Sequence, residues 1–131
     1  MIVVDTSAVI AIANNEPEAD ACIAILTQHD EALISAGTLL EIIVVGARKG
    51  ISQSVTTVMS NMLYTTIDVT EDLAHYAGDA YRQWGKGFHP AGLNFGDCFA
   101  YALAKQRDCP LLFIGNDFTQ TDIIVALPST G

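Results

Sequence analysis

Short, densely apolar runs alternate along this chain with longer stretches whose apolar residues recur at helical spacing. The runs are Ile2-Val3-Val4, Ala32-Leu33-Ile34-Ser35, a β-rich segment from Tyr64 to Val69, Leu111 to Ile114, and Ile123 to Leu127. Runs of this length without polar alternation suit strands buried on both faces. The first helical stretch follows Thr6-Ser7 as a cap and runs through Ala8-Val9-Ile10-Ala11-Ile12, with Asn14-Asn15 as its break. A second starts at Pro17, with Ala19, Cys22, Ile23 and Leu26 on one face. The third spans Thr38 to Lys49; its spacing selects Leu40, Ile43, Val44 and Ala47 as the core face and Gly50 as the stop. A fourth runs from Ser52 or Gln53 to about Met62. A fifth is capped by Thr70-Glu71-Asp72 and buries Leu73, Tyr76, Ala77, Ala80, Tyr81 and Trp84; a sixth runs from Asp97 to Arg107. Gly85, Gly87, Pro90 and Gly92 make 85–95 a loop, and a loop of this length in a compact domain is more often functional than idle.

Strand and helix signals that alternate throughout predict an α/β fold. The expectation is a three-layer α/β/α sandwich around a central parallel sheet of four to five strands, in the order 3-2-1-4-5. No linker, repeat or low-complexity stretch interrupts the chain, so residues 1–131 are expected to form a single domain.

Four acids interrupt this pattern inside apolar surroundings. Asp5 follows Ile2-Val3-Val4, Glu41 lies between Leu39-Leu40 and Ile42-Ile43, Asp97 opens Phe99-Ala100-Tyr101-Ala102-Leu103, and Asp117 follows Leu111 to Ile114. In an open parallel sheet, ligands bind beyond the carboxyl ends of the strands, where strand order reverses. Packing of the helices could bring the four to one rim. Two carboxylates roughly 4 Å apart repel by about 4 kcal/mol at an effective dielectric near 20. A divalent ion removes that repulsion, and a hard-oxygen cage suits Mg²⁺ or Mn²⁺ and phosphoryl chemistry. Without the ion, the carboxylates should titrate high. Taken singly, each acid has a plainer reading. Asp5 can be a helix cap, Glu41 a surface acid, Asp97 a charge at a helix N-terminus, and Asp117 a turn residue.

Composition narrows the options. Half of the 131 residues are hydrophobic, enough for a sizeable core, but no apolar run is long enough to cross a bilayer. The start has no basic segment, so a leader peptide is not expected. Cys22, Cys98 and Cys109 are odd in number and lack C-x-x-C spacing, which fits reduced thiols in a cytoplasmic protein. A net charge of −9 opposes loose binding to nucleic acid and favours a basic protein partner. Any nucleic-acid activity then needs a focused site aided by some of Arg48, Lys49, Arg82, Lys86, Lys105 and Arg107, which can equally be scattered solubilising charges. His29, His75 and His89 share no ligand spacing, and His89 sits in the loop before Asp97.

Four segments together resemble a PIN-domain ribonuclease, of the VapC toxin group of bacterial type II toxin–antitoxin pairs. They are Val3-Val4-Asp5-Thr6-Ser7-Ala8, Ser35-Ala36-Gly37-Thr38-Leu39-Leu40-Glu41, Leu93-Asn94-Phe95-Gly96-Asp97-Cys98-Phe99-Ala100-Tyr101-Ala102-Leu103-Ala104 and Leu111-Leu112-Phe113-Ile114-Gly115-Asn116-Asp117-Phe118. The resemblance implies an endoribonuclease dependent on Mg²⁺ or Mn²⁺ that cleaves RNA through a metal-activated water. It also implies a VapB-type antitoxin as inhibitor and a homodimer. By position, Asp5 and Asp97 would be the principal ligands, Glu41 would complete the set or hold a water, and Asp117 would be the fourth acid. Asn116 and Asp122 compete for that fourth place, and Thr6 or Ser7 would donate a hydrogen bond to a ligand or a phosphate.

Other classes are weaker. An aspartyl-nucleophile phosphatase needs a second Asp two residues after the first, where this chain has Ser7. A receiver domain wants paired acids after its first strand, and a dinucleotide site wants a G-x-G-x-x-G turn. A non-catalytic PIN-like module for dimerisation and partner capture is the alternative from another class; retention of all four acids speaks against it.

Overall fold

A computed structural model describes residues 1–128. Four strands, β1 (Ile2–Val4), β2 (Ala32–Ser35), β3 (Thr65–Ile67) and β4 (Leu111–Leu112), form one parallel sheet in the order β3-β2-β1-β4. Val3 pairs with Leu33 on one side and Leu111 on the other, so β1 is central and the strand order reverses beside it. Around the sheet lie α1 (Thr6–Ala13), α2 (Ala19–Thr27), α3 (Ala36–Lys49), α4 (Ser52–Asn61), α5 (Glu71–Trp84) and α6 (Phe95–Arg107).

Side chains of a strand alternate between its faces, and the core divides accordingly. Val3, Leu33 and Leu111 pack with Leu73, Ala77 and Ala80 of α5 and with Ala100 and Leu103 of α6. Ile2, Val4, Ile34 and Leu112 pack on the other side with Val9 of α1, Cys22 of α2, Ile42 of α3 and Val55 of α4. This is the expected α/β/α sandwich with a four-stranded parallel sheet. The fifth strand is reduced to one parallel bridge between Leu111 and Val125, which continues the order past β4. All three cysteines are buried and free. Among the described residues no helix is long and apolar enough to cross a membrane.

The face of α3 differs from the expectation. Thr38, Ile42 and Gly46 point inward, whereas Leu40, Ile43 and Val44 are 63 %, 56 % and 46 % exposed and Ala47 is exposed too. The helix is apolar nearly all round, so periodicity alone could not choose its inner side. Space chose it: a Cβ at Gly46 would meet Val55 Cγ2 at 2.9 Å, so only a glycine lets α4 pack this closely. Helix starts also shift. Asp5 rather than Thr6-Ser7 caps α1, α2 begins at Ala19 after Pro17, and α6 begins at Phe95 under an Asn94 cap. Tyr76 stays exposed on α5.

Candidate active site

Asp5 is held where β1 turns into α1. Its Oδ2 accepts hydrogen bonds from the Ser7 amide at 3.1 Å and the Ser7 hydroxyl at 2.7 Å. Ser7 Oγ in turn accepts from the Ile114 amide at 2.9 Å, which ties the end of β1 to the chain leaving β4. Asp5 Oδ1 is buried and has no hydrogen-bond partner. Burial, with a smaller contribution from the Glu41 charge, pushes the Asp5 carboxyl up to about 6.

Asp97 sits one residue past Gly96 in the first turn of α6, buried at 5 % exposure. It closes a reciprocal cap: Asp97 Oδ2 accepts from the Asn94 amide at 3.0 Å, and Asn94 Oδ1 accepts from the Asp97 amide at 2.8 Å. Burial, and then the charges of Asp5, Asp117 and Glu41, raise its carboxyl to about 7 despite the Asn94 hydrogen bond. Two neighbouring acids that both titrate high form an environment that favours neutrality or a cation.

Glu41 reaches this pair from α3. Its Oε1 accepts from the Thr6 hydroxyl at 2.6 Å. Its carboxylate lies over Gly96, where any Cβ would overlap it. Gly37, one turn before Glu41, likewise has no room for a Cβ against the Phe99 ring, so glycines on both helices set the close approach of α3 to α6. Asp117 is exposed after β4. Asp5, Glu41, Asp97 and Asp117 all line one cavity of about 330 Å³, together with Thr6, Asn94, Glu16 and Lys49. Among the described residues no three His, Cys, Asp or Glu side chains stand close enough to make a ready ligand cage. The donors nevertheless fit a hard divalent ion: all are carboxylate oxygens, and Asp5 contributes one that is buried and unpartnered.

Residues 2–124 match the family model described as the PIN domain. The chain belongs to the PIN-domain family. Within it the relatives are VapC ribonucleases. Ribonuclease VapC30 of Mycobacterium tuberculosis is 42% identical over 131 residues, covering 97% of this chain and 100% of the relative. Among solved structures, the sarcin–ricin loop-cleaving toxin VapC20 of M. tuberculosis superposes with a TM-score of 0.80 at 16% identity, over 98% of this chain and 100% of that one. A toxin–antitoxin complex from Klebsiella pneumoniae gives a TM-score of 0.71 at 19% identity, over 95% of this chain and 96% of that one.

The PIN cavity leaves several candidates out. Asn116 lies off it, and the Asn116 carbonyl accepts from the Thr119 amide at 3.3 Å and hydroxyl at 2.9 Å. Asp122 also lies off it: Asp122 Oδ1 accepts from the Tyr101 hydroxyl at 2.5 Å, and Oδ2 stands 3.1 Å from Lys105 Nζ. Tyr101 in turn accepts from Trp84 Nε1 at 2.9 Å, so Asp122 pins the last segment to α5 and α6. His89 Nδ1 accepts from the Ala91 amide and its ring packs edge-on against Trp84, while His75 lies exposed beside Glu71.

Two cavity residues escaped the sequence reading. Glu16 carried no motif. Asn94 stood inside the quoted segment, and its spacing of three residues before an acid was a legible capping signal. Lys49 was one of six undifferentiated cations; its place eight residues after Glu41 on the same helix is what sets it apart.

Proposed function

We propose that this chain is a divalent-metal-dependent endoribonuclease toxin, folded as one PIN-like domain over residues 1–131 and acting in the cytoplasm. Asp5 and Asp97 are its principal ligands for Mg²⁺ or Mn²⁺, with Glu41 and Asp117 completing the acid set. The observation that carries this reading is Asp5 Oδ1, buried without a partner in a cavity that also holds Asp97. A buried unpaired carboxylate oxygen is costly, and functional sites are where such a cost persists. A divalent ion there would neutralise the carboxylates and supply the Lewis acidity that phosphodiester hydrolysis uses.

The chain's own residues do the orienting. Ser7 occupies Asp5 Oδ2 and leaves Oδ1 for a ligand. Asn94 occupies Asp97 Oδ2 in the same way. Thr6 fixes one oxygen of Glu41, and the seat over Gly96 fixes the other. Asp5 and Asp97 are thus each held by one oxygen, a preorganisation that leaves the other for a ligand. RNA as substrate rests on membership of a group whose relatives are ribonucleases.

Two further surfaces support the proposed partners. Leu40, Ile43 and Val44 leave an apolar stripe bare on α3, which suits a homodimer. An apolar groove of about 600 Å³ between α1, α2 and α4, lined by Ile12, Ile23, Leu26, Val58 and Met62, suits an inhibitory segment of a VapB-type antitoxin. Ile23 and Leu26 thus line a groove as well as contributing to the helix face. The deciding test is RNA cleavage by purified protein after chelation, followed by Mg²⁺ or Mn²⁺ readdition. Activity lost and restored supports the reading; cleavage undiminished in excess chelator refutes it.

A further inference from the structure

We propose that Lys49 is the phosphate grip of the cavity, holding the RNA strand at a phosphate beyond the one that is cut. This rests on the nuclease reading above and assigns that site its substrate-holding residue. Lys49 is the cation among the side chains that line the cavity, where every other charged group is an acid. It occupies the last turn of α3, the helix that carries Glu41. Glu41, Val45 and Lys49 follow at steps of four and all line the cavity, so they share one stripe of the helix. At 1.5 Å per residue, Glu41 and Lys49 stand roughly 12 Å apart along the axis.

Three features give Lys49 this role. First, a polyanion must enter a cavity with five acids on a chain of net charge −9, and local positive charge decides where its backbone rests. Second, Lys49 is in no ion pair among the described residues, whereas Arg82 is spent on Asp79 and Lys105 on Asp122. Its ammonium is left for a ligand. Third, Lys49 is rooted two helical turns beyond Glu41, at the far end of the same stripe, so the phosphate it meets is further along the strand. Glu16 lines the same cavity, its carboxylate near Asn14 Nδ2 at 3.3 Å, and repels phosphate from its own side. The strand is therefore directed along α3.

The test uses Lys49→Gln, with Arg48→Gln as the control. Arg48 neighbours Lys49, removes the same charge, and does not line the cavity. Binding of a labelled randomised 20-nucleotide single-stranded RNA is measured in Mg²⁺ from low to high KCl, in an Asp97→Asn background that prevents cleavage. Lys49→Gln is expected to weaken binding about 5- to 10-fold at low salt and to flatten the salt slope by about 0.7, the value of one single-strand phosphate contact. Arg48→Gln should leave the slope unchanged, and Lys49→Arg should restore it. In the active background, Lys49→Gln should raise KM with kcat within about twofold. Equal slopes for Lys49→Gln and Arg48→Gln, or a fall in kcat at constant KM, overturn the assignment and leave Lys49 as a helix-end charge. If the unmutated chain neither binds nor cleaves RNA in Mg²⁺, the nuclease reading fails and this inference falls with it.

Discussion

Replacing Asp97 with Asn separates a residue that serves the site from one that serves the fold. The Asp97 carboxyl titrates near 7 in the folded chain against an ordinary 3.8. The fold therefore binds that proton more tightly than the unfolded chain does. The resulting destabilisation is absent below pH 3.8, grows as pH rises, and is complete above about 7. A rise of that size, at 1.36 kcal/mol per pH unit, is on the order of 4 kcal/mol. Part of it is repulsion shared with Asp5, Asp117 and Glu41. Asparagine keeps the shape and the acceptor for the Asn94 amide but loses a carboxylate at a helix N-terminus, which costs about 0.5–1 kcal/mol. A net stabilisation of about 3 kcal/mol remains, or about 10 °C in Tm for a chain of this size.

The assay is thermal unfolding of both proteins in chelator across pH, repeated with Mg²⁺. In chelator at pH 8 the variant should melt higher than the unmutated chain. The gap should shrink toward pH 5 and vanish below pH 4. Mg²⁺ should raise the Tm of the unmutated chain much more than that of the variant, and RNA cleavage should fall by about 100-fold or more. A variant that melts lower at pH 8 in chelator refutes the electrostatic argument and makes Asp97 a helix-terminal charge. Undiminished cleavage refutes its place in the site.

Two other substitutions probe the surroundings. Gly96→Ala puts a Cβ into the Glu41 carboxylate, so cleavage should drop about tenfold or more while Tm holds or rises, since Ala favours a helix over Gly; unchanged kinetics would mean that Glu41 is not needed where it sits. Asp122→Asn lies off the cavity and weakens the Tyr101 and Lys105 contacts, so Tm should fall by about 4 °C, for a loss of about 1 kcal/mol, with RNA cleavage intact. A Tm unchanged while cleavage is lost would return Asp122 to the site.

The sheet was legible because its strands are short apolar runs that need cover on both faces, and Ile2-Val3-Val4 could hardly be anything else. Its order followed from the regular alternation with helices. Ile123 to Leu127 was equally apolar, yet among the described residues its pairing is a single bridge from Val125 to Leu111. Within the site, acids at the ends of strands and starts of helices could be named one by one. What the sequence could not carry was their mutual support. The Thr6–Glu41 hydrogen bond spans 35 residues and the Ser7–Ile114 bond spans 107. The seat of Glu41 on Gly96 exists only once α3 docks on α6. Such contacts follow from tertiary packing, and local pattern holds no trace of them.

The inner face of α3 is the most instructive departure. Periodicity marked Leu40, Ile43, Val44 and Ala47 for burial, yet the chain itself buries Thr38, Ile42 and Gly46. Two of the three inward residues are small or polar, while Leu40, Ile43 and Val44 face outward. On α5 the opposite holds: Leu73, Ala77 and Ala80 face the core and the outward positions carry Asp72, His75, Asp79 and Arg82. A helix designed for solvent looks like α5. Large apolar residues at i, i+3 and i+4 on an outward face are the pattern of a helix that packs against something. Periodicity registers that a face is apolar and does not say what covers it. In the proposed homodimer a second copy supplies the cover, and the helix that carries Glu41 and Lys49 on one stripe would be braced on another by its partner.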